Sequence, residues 1–259
     1  MDTQNYEYFY DWVFTHLNIQ LDAYKEKQLR RRIFTIMKQS GAQTLEEYAA
    51  LIHLDKGVRQ KFLDYITINV TEFFRNRDLF DNFERLLQTK LSKRFDSISI
   101  WSAACSIGAE PYSLAMIMKR NNLPLKQAIL ATDIDETILD RAKQGIFREN
   151  EVKNLSIIDR DKYFVEKDNR FELDETIKKM VHFKKHDLIL DTYEKNFHVI
   201  VCRNVTIYFK NETKEDIYRR MSASLVTGGL LFTGATETIY QPEQYGLKKV
   251  ASFIYEKVD

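Results

Sequence analysis

Cysteine, proline and charge of one sign are all scarce in this sequence, and each scarcity excludes something. Only two cysteines occur, Cys105 and Cys202, far apart and outside any CxxC pair. That argues against a disulfide framework and against a zinc site. The 259 residues hold three prolines and eight glycines, with almost none of either in the first third, so little there interrupts helices. Lys and Arg total 39 against 38 Asp and Glu, a net charge of +1. Such balance gives no global attraction to nucleic acid or membrane, and electrostatic recognition has to come from local patches. No 18-residue apolar run appears, so no membrane span is expected. The opening MDTQNYEYFYDW is acidic and aromatic, without the basic and then apolar regions of a signal peptide. The expectation is a soluble cytoplasmic protein with no nucleic-acid partner and no direct membrane insertion.

What the chain does have is material for a core. Apolar residues make up 44% and aromatics 13%, which argues against wholesale disorder. The length suits one large domain or two modest ones. Residues 4–18, 23–39, 44–53 and 57–68 show apolar spacings of three and four, as in Leu29, Ile33, Ile36 and Met37, and predict helices. Gly41 stands where a helix C′ glycine belongs, and Thr44 stands three before Glu47, as in a capping box. From about residue 97 short apolar runs (Ile98 to Trp101, Ile129 to Ala131, Val199 to Val201, Leu230 to Thr233) alternate with helical stretches near 110–121, 136–144 and 212–225. That alternation predicts a parallel, doubly wound α/β sheet, with ligands beyond the carboxyl ends of its strands. Residues 147–182 interrupt it. Their short strands at Tyr163 to Val165, Arg170 to Leu173 and Val181 to Phe183 predict a small antiparallel insertion. No internal repeat or low-complexity segment is present.

Three strand ends carry candidate chemistry. In Ile98-Ser-Ile-Trp-Ser-Ala-Ala-Cys-Ser-Ile-Gly-Ala-Glu-Pro-Tyr112 a strand runs through small residues and Gly108 into a helix with Pro111 near its first turn. Small residues let a backbone approach a ligand closely; an ordinary strand-to-helix turn would look the same. Ile129-Leu-Ala-Thr-Asp-Ile-Asp135 ends in two acids, Asp133 lying 25 residues after Gly108. A carboxylate roughly 20 residues on can accept ribose hydroxyls, and one of the two acids can instead cap the next helix. Ile200-Val-Cys-Arg-Asn-Val-Thr-Ile-Tyr-Phe209 places Arg203, Asn204 and Tyr208 near the same sheet end. Cys202 has no His or Asp partner spaced for nucleophilic catalysis and reads as a core residue, as do Trp101 and Phe209.

With these motifs, together with Ile68-Asn-Val-Thr-Glu-Phe-Phe-Arg75, Glu110-Pro-Tyr-Ser-Leu-Ala115 and Gly228-Gly-Leu-Leu-Phe232, the sequence resembles the chemotaxis receptor methyltransferase family, CheR, over nearly its whole length. The resemblance implies a helical N-terminal substrate-recognition domain, taken as residues 1–75. It further implies a Rossmann-like S-adenosylmethionine methyltransferase domain, 76–259, carrying the small antiparallel β insertion at about 147–182. It implies transfer of a methyl group from S-adenosyl-L-methionine to receptor glutamates, giving S-adenosyl-L-homocysteine, without a metal. Carried over by position, the cofactor contacts are Asn69, Thr71, Arg75, Glu110, Asp133, Asp187, Leu188, Arg203 and Asn204, and the residues beside the transferred methyl are Arg75 and Tyr208. The implied partners are the cytoplasmic helices of methyl-accepting chemotaxis receptors, and the protein is expected to be a monomer.

Three positions depart from the family pattern. Ser106-Ile-Gly-Ala-Glu-Pro-Tyr112 has Ile107 for a hydroxyl and Ala109 for an acid. One lost neutral hydrogen bond costs about 1 kcal/mol, about fivefold in affinity. Asp187 stands where related sequences often carry Asn. Between residues 21 and 40, Lys25, Lys27, Arg30, Arg31, Arg32 and Lys38 face only Asp22 and Glu26, six positive charges against two negative. That face is either a solvated surface or a dock for glutamate-bearing helices, with Lys27, Arg30 and Arg31 as its candidate contacts. Some family members also hold a receptor's C-terminal pentapeptide through extra glycines in the insertion. Here no glycine occurs between Gly145 and Gly228, so independence of that pentapeptide is expected. A methyltransferase for another substrate and a non-catalytic, cofactor-binding receptor regulator are the competing readings.

Overall fold

The computed structural model describes residues 5–67 and 69–258. The expected start of the first helix at residue 4 lies outside the described residues. So does Ile68, the expected last residue of the fourth helix and the first of its motif. The chain divides into two compact units, Met1–Asn69 with Tyr208–Lys214, and Val70–Ile207 with Glu215–Asp259.

The first unit is all helical: α1 (Tyr6–Leu17), α2 (Glu26–Gln39), α3 (Leu45–Leu54) and α4 (Lys56–Thr67). The expected face of α2, Leu29, Ile33, Ile36 and Met37, is buried. Gly41 follows it at φ +89°, the left-handed conformation that ends a helix at low steric cost. Thr44 Oγ1 accepts the Glu47 N–H at 3.2 Å. Glu47 in turn accepts the N–H of Gln43 at 2.7 Å, one residue before the N-cap that a capping box would serve. The segment from Tyr208 joins this unit by backbone pairing: Lys25 N–H donates to Tyr208 O at 2.8 Å and Lys210 N–H to Ala23 O at 2.9 Å.

The second unit carries the expected Rossmann-like architecture. After α5 (Arg77–Leu86) come β1 (Ile100–Ala103), α6 (Ala109–Arg120), β2 (Ile129–Asp133), α7 (Glu136–Gln144), β3 (Ile146–Phe147), β4 (Phe164–Lys167), β5 (Arg170–Leu173), β6 (Val181–Lys185) and β7 (Phe197–Cys202). Then follow α8 (Asn211–Ser224), which belongs to this unit from Glu215 on, β8 (Leu225–Thr233), β9 (Leu247–Ala251) and β10 (Ile254–Lys257). Seven strands form one sheet in the order β6-β2-β1-β7-β8-β10-β9. The first five of these run parallel, and β10 and β9 are antiparallel. Every residue of β1, β2 and β7 is buried, as expected where helices cover both faces of a parallel sheet. From β1 the chain winds to β2 and β6 on one side and to β7 and β8 on the other. In doubly wound sheets such a reversal of strand order, here between β1 and β7, is where ligands bind, at the carboxyl ends of the strands.

The small antiparallel sheet has the order β3-β5-β4, and Asp168-Asn169, at φ +49° and +56°, turn β4 into β5. Two consecutive left-handed residues are what a tight hairpin requires. One expectation is corrected here. Val181 to Phe183 is not part of the insertion; it belongs to β6, parallel to β2 from Ile129↔Val181 to Asp133↔Lys185. Charged residues along it suit an open sheet edge as well as an insertion, and only the non-local pairing decides between them. Two segments without a sequence-based expectation are also ordered: 77–94, which begins with α5, and the β9–β10 pair near the C-terminus.

Candidate active site

Left-handed backbone marks the loops at the carboxyl end of the sheet. After β1, Ala104, Ser106 and Gly108 have φ of +64°, +49° and +85°, and Asn204 after β7 has +60°. Non-glycine residues in that region are strained by about 1–3 kcal/mol and persist where surroundings over-determine them. Asp133 is one such determinant. Its Oδ2 accepts the Ser106 N–H at 2.8 Å and its Oδ1 the Asp135 N–H at 3.2 Å. Asp135 is the helix cap, accepting from the N–H groups of Thr137 and Ile138 ahead of α7. Asp135 is thus the capping acid, and Asp133 holds the loop after β1. Burial raises the Asp133 carboxyl to about 6, against the opposing pull of the Ser106 and Asp135 amides.

Glu110, in the first turn of α6, is buried against Ser102 Oγ at 2.8 Å and Arg203 Nη1 at 3.4 Å. Arg203 Nη2 reaches the carbonyl of Arg75 at 2.7 Å and Asn76 Oδ1 at 3.1 Å, and its guanidinium lies 4.9 and 4.8 Å from the ring centroids of Phe80 and Phe232. Arg203 thus ties the end of β7 to α6 and to the segment holding Arg75. Burial raises the Glu110 carboxyl and lowers the Arg203 guanidinium; desolvation outweighs their mutual attraction at this spacing.

The segment before α5 is pinned by aromatics. Phe73 and Phe74 are fully buried; Phe73 packs edge-on to Phe147 and Phe164, and the Phe74 N–H donates to Ser113 Oγ at 3.0 Å. Arg75, next in sequence, is partly buried and donates to Val70 O at 2.8 Å. After β6, Asp187 Oδ1 accepts the N–H groups of Ile189 and Leu190 at 2.7 and 3.3 Å, whereas its Oδ2 is buried with no hydrogen-bond partner among the described residues. Burial raises this carboxyl too.

The expected site residues are therefore distributed as follows. In the second unit, contacts link Arg75, Glu110 and Arg203; Asp133 is joined to the loop after β1, and its carbonyl accepts the His186 N–H beside Asp187 and Leu188. Thr71 is partly buried in the same unit. Asn69 and Tyr208 belong to the helical unit. Asn69 donates to Thr67 Oγ1 at 3.1 Å, and the Tyr208 ring lies 5.1 Å from the Arg32 guanidinium. On α2, Lys27 and Arg31 are exposed, whereas Arg30 is ion-paired with Glu26 and stacked on Tyr6. Cys202, Trp101 and Phe209 are buried, as expected.

Residues 69–254 match the family model described as CheR methyltransferase, SAM binding domain, and residues 4–67 match CheR methyltransferase, all-alpha domain. The chain belongs to the CheR family. A chemotaxis protein methyltransferase of Listeria monocytogenes is 40% identical over 98% of this chain and 97% of its own. The protein of that name from Borreliella burgdorferi is 34% identical, covering 88% and 85%. That from Escherichia coli is 31% identical, covering 90% and 83%.

The residues present fit the adenosylmethionine of a CheR protein. Asp133 supplies a buried carboxylate at the end of β2, and Asp187 Oδ2 is a buried acceptor unmatched by any donor among the described residues. The departures Ile107 and Ala109 are 2% and 0% exposed, packed in the main apolar core. A hydroxyl and a carboxylate there would need partners that this core does not offer. Among the described residues no group of three or more His, Cys, Asp or Glu side chains could hold a metal, and no helix is long and apolar enough to cross a membrane.

Two residues without a sequence signal shape these loops. Glu237 accepts from the turn after β7, and Arg220, on α8, donates to the carbonyls of Leu188, Ile189 and Asp191. Neither lies in a motif with recognisable spacing; an isolated acid in a loop and one arginine on a charged helix look like surface residues.

Proposed function

We propose that this protein transfers a methyl group from S-adenosylmethionine to glutamate side chains on the cytoplasmic helices of chemotaxis receptors, forming methyl esters in the cytoplasm. The observation that carries this reading is the match of both segments to the two CheR models. The contacts joining the Arg75 segment, Glu110 and Arg203 support it. A glutamate carboxylate has an ordinary pKa near 4.3, so the nucleophile is ionised at neutral pH without a general base. When bound, the cofactor supplies an electrophilic methyl on a sulfonium. The protein's task is positioning and exclusion of water. Arg75 offers paired N–H donors that fix the carboxylate's approach, and Tyr208 steers it by a hydrogen bond. Asn69, Thr71, Glu110, Asp133, Asp187-Leu188 and Arg203-Asn204 hold the cofactor, and residues 1–75 recognise the receptor. The test is incubation with labelled S-adenosylmethionine and receptor cytoplasmic fragments: alkali-labile label on the receptor is expected, and label on nucleic acid or none at all would overturn the reading.

Because Asp133 has its carboxyl raised to about 6, cofactor affinity should depend on pH. Protonation removes an acceptor for ribose hydroxyls, so at pH 5 about one tenth of the protein is competent. Calorimetry with S-adenosylhomocysteine should show Kd about tenfold weaker at pH 5 than at pH 7.5; equal affinities would remove Asp133 from the site. The same shift acts on stability. The folded carboxyl holds its proton up to about pH 6 and the unfolded one only to 3.8, so stability from this group is present below pH 3.8. About 3 kcal/mol of it is lost as pH rises through 6.

Receptor docking is assigned to the basic face of α2. Reversing Lys27, Arg30 and Arg31 should raise the receptor KM severalfold and leave cofactor affinity unchanged, with the wild-type interaction weakening in salt as exposed charges are screened over about 8–10 Å. The insertion offers β4 as a free edge, with Glu166 and Lys167 exposed on it; charges there discourage strand addition. A receptor-tail pentapeptide ending in an aromatic residue should accordingly show no saturable anisotropy change near ~1 μM. Saturation there would mean that the tail is recognised.

A further inference from the structure

We infer that Glu237 is the positioning residue for the turn after β7, holding Asn204 in its cofactor-binding conformation. This rests on the reading that Asn204 contacts the cofactor. Glu237 is 3% exposed, in the loop after β8, the strand beside β7. Its Oε2 accepts the Asn204 N–H at 2.5 Å and the Gly234 N–H at 2.8 Å. Its Oε1 accepts the N–H groups of Val205 at 3.0 Å, Thr206 at 2.7 Å and Ile207 at 3.3 Å, and the Thr206 hydroxyl at 2.8 Å. One carboxylate thus collects four successive amides of a single turn. Such a run of N–H groups converging on an anion is a nest. In other nests the anion is a ligand; here it is a side chain of the same unit.

The arrangement answers a specific problem. Asn204 is left-handed at φ +60°, and a turn that points four amides one way leaves their dipoles aligned and unopposed. A buried N–H without a partner is costly. The Glu237 charge makes the strained turn the favoured one. Space is shaped to the same end. A Cβ on Gly234 would overlap the Glu237 carboxylate and come within 2.9 Å of Asn204 N, so only glycine permits this approach. The carboxylate is itself anchored from behind: Glu237 N–H donates to Gly234 O at 2.9 Å, and its carbonyl accepts from Thr233 Oγ1 at 2.9 Å. Because Arg203 immediately precedes this turn, its placement against Phe80 and Phe232 depends on the same anchor.

The test compares Glu237→Gln, which replaces one acceptor by a donor facing the amides, with Glu237→Asp, which keeps both oxygens on a shorter arm. Calorimetry with S-adenosylhomocysteine should give Kd about tenfold or more weaker in Glu237→Gln, with partial recovery in Glu237→Asp. Steady-state kinetics should raise KM for S-adenosylmethionine and leave the receptor KM within about twofold. Wild-type protein that fails to bind S-adenosylhomocysteine would sink the cofactor-site reading itself. Wild-type binding with unchanged affinity in a folded Glu237→Gln, even one with a lowered melting temperature, would show Glu237 to be structural only and overturn the inference. Should Glu237→Gln not fold, unchanged affinity in Glu237→Asp overturns it equally.

Discussion

Replacing Glu110 by alanine is expected to cost about 3–5 kcal/mol of stability, lowering the melting temperature by roughly 10 °C. The side chains of Arg203 and Glu110 are 2% and 11% exposed and 3.4 Å apart. Removing the acid leaves a guanidinium packed against Phe80 and Phe232, with the carboxylate of Glu237 as its remaining opposite charge and, among the described residues, only the neutral Arg75 carbonyl and Asn76 amide as hydrogen-bond partners. An unpaired buried charge is costly because water cannot replace the lost carboxylate. Desolvation already outweighs attraction within the intact pair, so removing both charges should cost less than removing one. The double variant Glu110→Ala/Arg203→Met should therefore recover much of the loss, measurable as a coupling energy in a thermodynamic cycle. A loss below about 1 kcal/mol in Glu110→Ala would show the pair to be solvated. Glu110, proposed above as a cofactor contact, would thereby also organise the protein core.

Arg75→Ala should lower single-turnover methyl transfer to receptor fragments by about 10²–10³-fold at saturating cofactor, while the melting temperature changes by less than about 2 °C. The two readouts separate because Arg75 makes its structural contribution through its backbone. Its carbonyl accepts from Arg203, and that bond survives the substitution. Its guanidinium donates to the Val70 carbonyl and is only partly buried, a modest loss in stability. A carboxylate held by a two-pronged donor has its direction of attack fixed, and a point charge does not reproduce this. Arg75→Lys should thus retain substrate attraction but recover only part of the rate. Transfer within twofold of wild type in Arg75→Ala would exclude the proposed role.

How far the site could be read depended on the type of signal. Asp133 and Asp135 were legible as a pair at a strand end, since the acids and the spacing from Gly108 are local features. Which acid caps α7 and which reaches Ser106 was not, because that choice depends on the Ser106 amide, 27 residues away from Asp133. Arg203 stood in a motif, yet its role as a tie between β7, α6 and the Arg75 segment spans partners 93 and 128 positions distant. Glu237 and Arg220 carried no signal at all. Their work is to receive or donate hydrogen bonds from backbones remote in sequence, and backbone partners leave no trace in residue types. The misassignment of Val181 to Phe183 has the same origin: strand character is local, but the strand it pairs with is not.

The sequence by itself determined the helical first segment, the parallel α/β sheet, the small antiparallel insertion and the family. These follow from hydrophobic periodicity, from turn and cap residues at fixed offsets, and from motifs that are contiguous in the chain. Only the tertiary structure decided the sheet order that reverses between β1 and β7, the membership of β6, and the use of Glu237 and Arg220 to hold loops. It also decided that Ile107 and Ala109 serve the core. Those outcomes are set by burial and by pairing across long separations, where desolvation favours partners for buried charges and amides that no local pattern names.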